Sequence, residues 1–322
     1  MINGNSVILQ LGKETTYGTK ATGTEQIKIS SESFKEVYNK IDEGLATGGR
    51  GSGLKATMGI GVEFSFSTLF RPDFGNILKG ALGVSAYTSG KHTFTCIESA
   101  ENKHLPAWTF YVDRKVGKFA YTGCKIGSLT LSASAGNYLT CDVSGNGKLE
   151  ETVSSLATLT PSTLRAFKFA QAKVYSKAKN AETRTELADV TNLSIEINNN
   201  LDAQTQTTST GNHYKEPEVG TREITATVDM IYSVSAETAR NAFYKSDDTL
   251  SIEAEFISDE TFGDNNTPYS LKIKLPCVQC SDATANMGGL DTLSQNMVFN
   301  VADNLTDELI EIELINNKTG AY

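Results

Sequence analysis

A chain of 322 residues is long enough for about two domains of ordinary size. Its 38 acidic against 29 basic residues give a formal charge of −9. A phosphate-binding surface needs clustered Lys and Arg, so this balance argues against a protein built to grip nucleic acid. Hydrophobic content of 39% with 27 glycines and 6 prolines describes a β-rich chain rather than a helical bundle.

In chain order, the opening "MINGNSVILQLGKETTYGTKATG" has an apolar run too short to span a membrane and no small-residue cleavage pattern, so synthesis and retention in the cytoplasm are expected. Period-2 alternation predicts strands at 7–11, 26–30, 62–69, 93–97, 108–113, 119–124, 126–133 and 139–145. In "RPDFGNILKGALG", Phe74, Ile77, Leu78 and Leu82 fall at spacings of three and four after a Pro-Asp start, which predicts a short amphipathic helix stopped at Gly83. The hairpin "FAYTGCKIGSLTLSASAGNYLTCDVSGNG" (119–147) has one apolar face and one lined by Ser128, Thr130, Ser132 and Ser134.

The second half follows the same plan. "VTNLSIEINNN" answers "TEQIKISSESF", "REITATVDMIYS" answers "GVEFSFSTLF", and "SAETARNAFYKSDD" supplies a second short helix. Strands at 250–258, 269–285 and 294–304 complete the parallel, with Glu63 and Glu223 at matching points of the two central strands. The expected organisation is a first β domain over 1–150, a connector over 151–188 that is partly helical or extended, and a second β domain over 189–322. In each half a long polar excursion precedes the central strand, at 39–59 and 198–220. Loops of that length inside compact domains are functional or disordered, and two in equivalent places point to contact arms.

The chemical motifs are weak. "GGRGSG" (48–53) is followed by a strand where a phosphate-binding loop needs a helix, and it lacks that loop's Gly-Lys-Ser/Thr. "PCVQC" is a lone pair of cysteines with no second pair, whereas tetrahedral zinc needs four ligands. The five cysteines, Cys96, Cys124, Cys141, Cys277 and Cys280, suit reduced thiols in strands better than a disulfide framework. Three dispersed histidines (His92, His104, His213) and no nucleophile elbow leave little for catalysis. No cofactor, metal or enzymatic activity is expected. The faces opposite the core are more informative: Glu63, Ser65 and Ser67 alternate with apolar neighbours, as do Glu223, Thr225, Thr227 and Asp229. Such a face either meets solvent or forms an acidic surface to which DNA phosphates do not stick.

The opening "LGKETTYGT", the "RPDFGNILKGALG" helix and the hairpin "YTGCKIGSLTLSASAGNYLTCDVSGNGK" resemble the tail tube proteins of long-tailed bacteriophages and prophages. The resemblance covers most of residues 1–150 and matches the second half by layout alone. It implies a mainly β fold of two tandem β-sandwich or barrel domains, each with a short flanking helix. It further implies a virion tail protein whose rings stack into a hollow tube around a tape-measure protein, with tail terminator and distal tail proteins at the ends and DNA leaving through the bore without specific binding. On that reading Glu63, Ser65, Ser67, Glu223, Thr225 and Thr227 face the lumen. Gly48, Gly49, Arg50 and Gly51, with Gln204, Thr207, Thr208 and Gly211, form inter-ring arms. Two domains per chain predict a trimer with pseudo-six-fold symmetry, and a hexamer of a single-domain-plus-decoration chain is the rival. The alternative function is a glycan- or protein-binding tail-tip or adhesin module, marked by an aromatic cluster on an exposed face.

Overall fold

In the computed structural model, residues 4–44, 53–97, 104–178, 183–245, 248–286 and 293–322 are described. The first half contains β1 (Ile8–Lys13), β2 (Glu25–Ile27), β3 (Ser31–Asp42), β4 (Lys55–Leu69), α1 (Gly75–Leu82), β5 (Gly83–Thr88), β6 (Lys91–Cys96), β7 (Trp108–Asp113), β8 (Lys118–Ser134), β9 (Thr140–Gly147) and β10 (Leu149–Thr152). The second contains β11 (Ala172–Ala178), β12 (Thr185–Glu186), β13 (Val190–Asn198), β14 (Glu223–Ile231), α2 (Val234–Phe243), β15 (Leu250–Phe262), β16 (Thr267–Asn286), β17 (Ser294–Val301) and β18 (Glu311–Ile315). The fold is mainly β, and every ladder between these strands is antiparallel.

One large sheet runs β3–β4–β9–β8–β13–β14–β17–β16. It uses the C-terminal parts of β8 and β16. Their N-terminal parts belong to two other layers, β2–β1–β7–β8–β10 and β12–β11–β15–β16–β18–β6–β5. Each long strand bends where a bulge inserts an extra residue, because a bulge adds local twist and redirects the chain without ending the strand. That is why 118–134 is one element and not the two that alternation predicts.

The bends recur at the same place in both halves. Along β7–β8 the pair Trp108–Cys124 is followed by Phe110–Tyr121; along β15–β16, Leu250–Val278 is followed by Ile252–Leu275. Along β8–β9, Ile126–Gly145 is followed by Ser128–Ser144; along β16–β17, Cys280–Phe299 is followed by Asp282–Val298. Following the same rungs, Ser65 stands opposite Ser144 and Thr227 opposite Val298, while Ser33 stands opposite Ser65 and Ser194 opposite Thr227. In this register Glu63 answers Thr225, and not Glu223 as sequence matching suggests. Pro276 sits at the bend of β16, where a strand tolerates the loss of a ladder donor.

The core lies between the layers. Phe34, Phe64, Phe66, Phe110 and Tyr121 pack with ring centroids 5.1–6.3 Å apart, the offset and tilted arrangement that aromatic quadrupoles favour. In the second half the interior is mostly aliphatic, with Ile224, Val228, Ile252, Leu271, Ile273 and Met297 buried beside Phe256 and Phe299. α1 presents Ile77, Leu78, Ala81 and Leu82 inward and ends at Gly83, whose φ of 101° suits glycine. α2 starts at Ser233, whose hydroxyl accepts from the Ala236 amide. The stretch read as a connector contains β11, which pairs along its whole length with β15.

Candidate functional site

The outer face of the large sheet carries hydroxyl, amide and carboxylate groups across all eight strands. All six residues predicted for a lumen, Glu63, Ser65, Ser67, Glu223, Thr225 and Thr227, lie on this face, because their chain neighbours Val62, Phe64, Phe66, Ile224, Ala226 and Val228 point into the core. One rung crosses Ser33, Ser65, Ser144, Ser128, Asn198 and Glu223; the next crosses Ser31, Ser67, Asp142, Thr130, Glu196, Thr225 and Asn300. The side chains tie to one another: Ser132 to Ser194 at 2.7 Å, Asn192 and Asn296 both donating to Asp229 at 3.0 and 2.6 Å, and Ser67 to Asp142. Glu63, Asp142, Glu196, Glu223, Asp229 and Asp282 make the face acidic, and Lys35 is bound to Glu63 at 3.0 Å. A shallow groove of about 610 Å³ over Ser128, Ser144 and Glu196 is lined mostly by polar side chains of this kind, with Phe64 and Leu201 among them.

The sheet ends in two strands with one partner each among the described residues: β3, bonded to β4 alone, and the 279–286 part of β16, bonded to β17 alone. Side chains cap part of these edges: the Phe34 amide donates to Glu32 at 3.2 Å, Phe34 O accepts from Arg114 at 3.0 Å, and Ala283 O accepts from Arg240 at 3.1 Å. The other N–H and C=O groups of such an edge are a template for another strand.

The arm at 198–220 folds against the first half. The Ile60 amide donates to Asn212 O at 2.7 Å, the Tyr214 amide donates to Ile60 O at 3.2 Å, and the Tyr214 ring lies over Gly59 and Gly61. The β3–β4 ladder continues to Asp42–Lys55, so the first excursion is shorter than predicted. Gln204, Thr207, Thr208 and Gly211 sit at the exposed end of the second arm; Gly48, Gly49, Arg50 and Gly51 lie outside the described residues. The β3–β4 hairpin exposes Tyr38, Ile41, Leu54 and Met58.

Three anchoring groups escaped the sequence reading. Lys125, fully buried on β8, pairs with Glu216 at 2.6 Å and donates to Pro217 O at 3.1 Å, fixing the second arm. Burial pushes its amine pKa down while Glu216 opposes the shift. A lysine inside the apolar run "GCKIGSL" was the available signal. Glu14, in the "KETTYGT" turn, accepts from the Gly18 and Gly123 amides and the Thr109 hydroxyl at 2.7–2.8 Å. Tyr322 packs beside α1, His92 and Phe94, with its hydroxyl held by Asn316 and Asp73 O. Beside it Glu25, hydrogen-bonded to Asn76, has its carboxyl pushed up to about 7 by burial and by Asp73.

All five cysteines are free thiols, four of them buried. Among the described residues no three His, Cys, Asp or Glu side chains gather as a metal site, and no helix is long and apolar enough to cross a membrane. Trp108, the sole tryptophan, is in the core, so it forms no exposed aromatic platform of the kind an adhesin needs.

The site is a broad polar sheet face bounded by two edge strands. The sequence model of the phage tail tube protein family matches residues 4–301, and the chain belongs to that family. It is therefore a structural protein of the phage tail, from a family of tube subunits and not a known enzyme family, and membership implies assembly into a tube with other tail proteins. A search of curated proteins returned no match.

Proposed function

We propose that the chain is a duplicated tube subunit, with domains at 1–150 and 189–322 joined through 151–188, and that three copies close into a pseudo-six-fold ring. Rings stack into the hollow tail tube around a tape-measure protein, and DNA is later ejected through the bore. The protein is made in the host cytoplasm and ends in the virion tail.

The carrying observation is the stagger of the large sheet. The rung that leaves β13 at Asn198 reaches β3 at Ser33, the counterpart of Ser194, so four strands displace the register by four residues. At about 3.3 Å per residue and about 4.8 Å between strands, that is a tilt of about 35°, within the range at which sheets close into barrels. Three eight-stranded sheets closed at that tilt make a cylinder roughly 45 Å across at the backbone. With side chains inside, this still admits a DNA duplex. The acidic face then lines the bore, with Glu63, Ser65, Ser67, Glu223, Thr225 and Thr227 among its residues, and repels phosphates where a basic one would hold them. The exposed end of the second arm reaches the neighbouring ring.

Electron microscopy of the purified protein across concentration and salt tests this reading. Rings or tubes with a central hole are expected; a monomer under every condition would contradict it.

A further inference from the structure

We infer that β3 of one copy adds to the open edge of β16 in the next copy in the register of the internal β8–β13 joint, with Lys35 opposite Thr284 and Val37 opposite Asp282. The inference rests on the ring reading and specifies its contact.

The internal joint supplies the template. There Thr130 stands opposite Glu196 and Ser128 opposite Asn198. The shared bulges equate Ser128 with Asp282 and Thr130 with Thr284, and the shared rungs equate Glu196 with Lys35 and Asn198 with Val37. Chemistry at the two edges agrees with this register. Asp282 is exposed and lies diagonal to Lys35 across the joint, within reach of a long side chain. Among the described residues, Lys35 has one ion-pair partner, the exposed Glu63.

The template extends beyond the ladder. Asn199, the residue after β13, donates its amide to Gly127 O at 2.8 Å and its side chain to Ala81 O, at the end of α1, at 2.9 Å. Its counterpart on β3 is Tyr38, and the end of α2 carries Tyr244; both are about half exposed. The joint between copies thus brings Tyr38 to the Tyr244 end of the neighbour's α2 and covers two aromatic rings that the single chain leaves open. One element is missing there. Lys125, which locks the internal joint through Glu216, is answered on β16 by the neutral Gln279. The charged pair beside the internal joint is therefore not repeated at this position between copies.

The test is cysteine cross-linking in a Cys280→Ser background, because Cys280 is the one half-exposed native thiol near that edge. Lys35→Cys with Thr284→Cys, and separately Val37→Cys with Asp282→Cys, are expected to give covalent dimers and closed trimers at least tenfold above either single variant after mild oxidation. The offset pair Ser33→Cys with Asp282→Cys is expected to stay at the single-variant level. Rings seen by microscopy whose in-register pairs do not cross-link, or whose offset pair cross-links equally, overturn the register while sparing the ring. A parent protein that forms no rings overturns both.

Discussion

Ser132 on β8 and Ser194 on β13 share a hydrogen bond of 2.7 Å across the joint between the two halves of the chain. The rung they mark is part of a seven-residue antiparallel ladder from Ser128–Asn198 to Ser134–Asn192. The backbone ladder carries the joint and the hydroxyl pair adds to it. Ser194→Ala is therefore expected to lower stability by about 1 kcal/mol, the usual net value of one such bond, with assembly unchanged. A denaturant midpoint measured beside ring yield checks both parts.

Lys125→Met keeps the packed stem but removes the amine that holds Glu216 and Pro217 O. Glu216 is partly exposed and regains water, so the loss is expected to be about 1–3 kcal/mol and not the larger penalty of a stranded buried charge. The arm at 198–220 should loosen, and cleavage at Lys215 by trypsin should speed up well before global unfolding. Equal cleavage rates in parent and variant would show that the arm is held by Tyr214 and the Ile60 ladder alone.

Glu25 gives the fold a pH dependence. Its neighbours are Asn76, Asp73, Lys318 and Tyr322, and burial raises its carboxyl from 4.5 to about 7. The folded protein holds this proton more tightly than the open chain, so the contribution is full below about pH 4.5 and is lost as pH rises to about 7, by about 3 kcal/mol. Glu25→Gln is expected to flatten that slope and to be more stable than the parent at pH 8. Parallel slopes in a pH series of unfolding midpoints would contradict the assignment.

Replacing residues 205–211 with a short glycine linker removes the exposed end of the second arm, including Thr207, Thr208 and Gly211, and leaves Tyr214 and Glu216 in place. Rings should persist while tube length collapses, because surface loops of this kind carry little of the core. Normal tubes in micrographs would remove the stacking role.

Glu63→Lys with Glu223→Lys reverses charge on the polar face without touching the core side of β4 or β14. Tubes should form, and phage carrying them should release DNA more slowly, most of all at low salt, where phosphate attraction is least screened. Unaltered release would mean that these carboxylates face elsewhere.

Much of this architecture was legible in the chain. Strict alternation exposed β8, β9 and β14, and Phe74, Ile77, Leu78 and Leu82 marked α1 with its stop at Gly83. β3 escaped because "SESFKEVYNKID" buries little more than Phe34 and fills its other positions with charge, as suits a strand left at an edge. The return of β18 and Tyr322 to the first half, and the grip of Lys125 on Glu216, join residues 91 or more positions apart. No local period records such contacts. That the six candidate residues share one side of the sheet was legible because pleating alone decides it; their alignment between halves slipped by two because bulges shift register without changing composition.

The most direct measurement is a cryo-electron microscopy reconstruction of the assembled tube at a resolution that separates strands. Three chains of 34.7 kDa per ring, with the large sheet unbroken from β16 of each copy into β3 of the next, is the predicted result. Six chains per ring, or neighbouring copies whose sheets do not join, would contradict it.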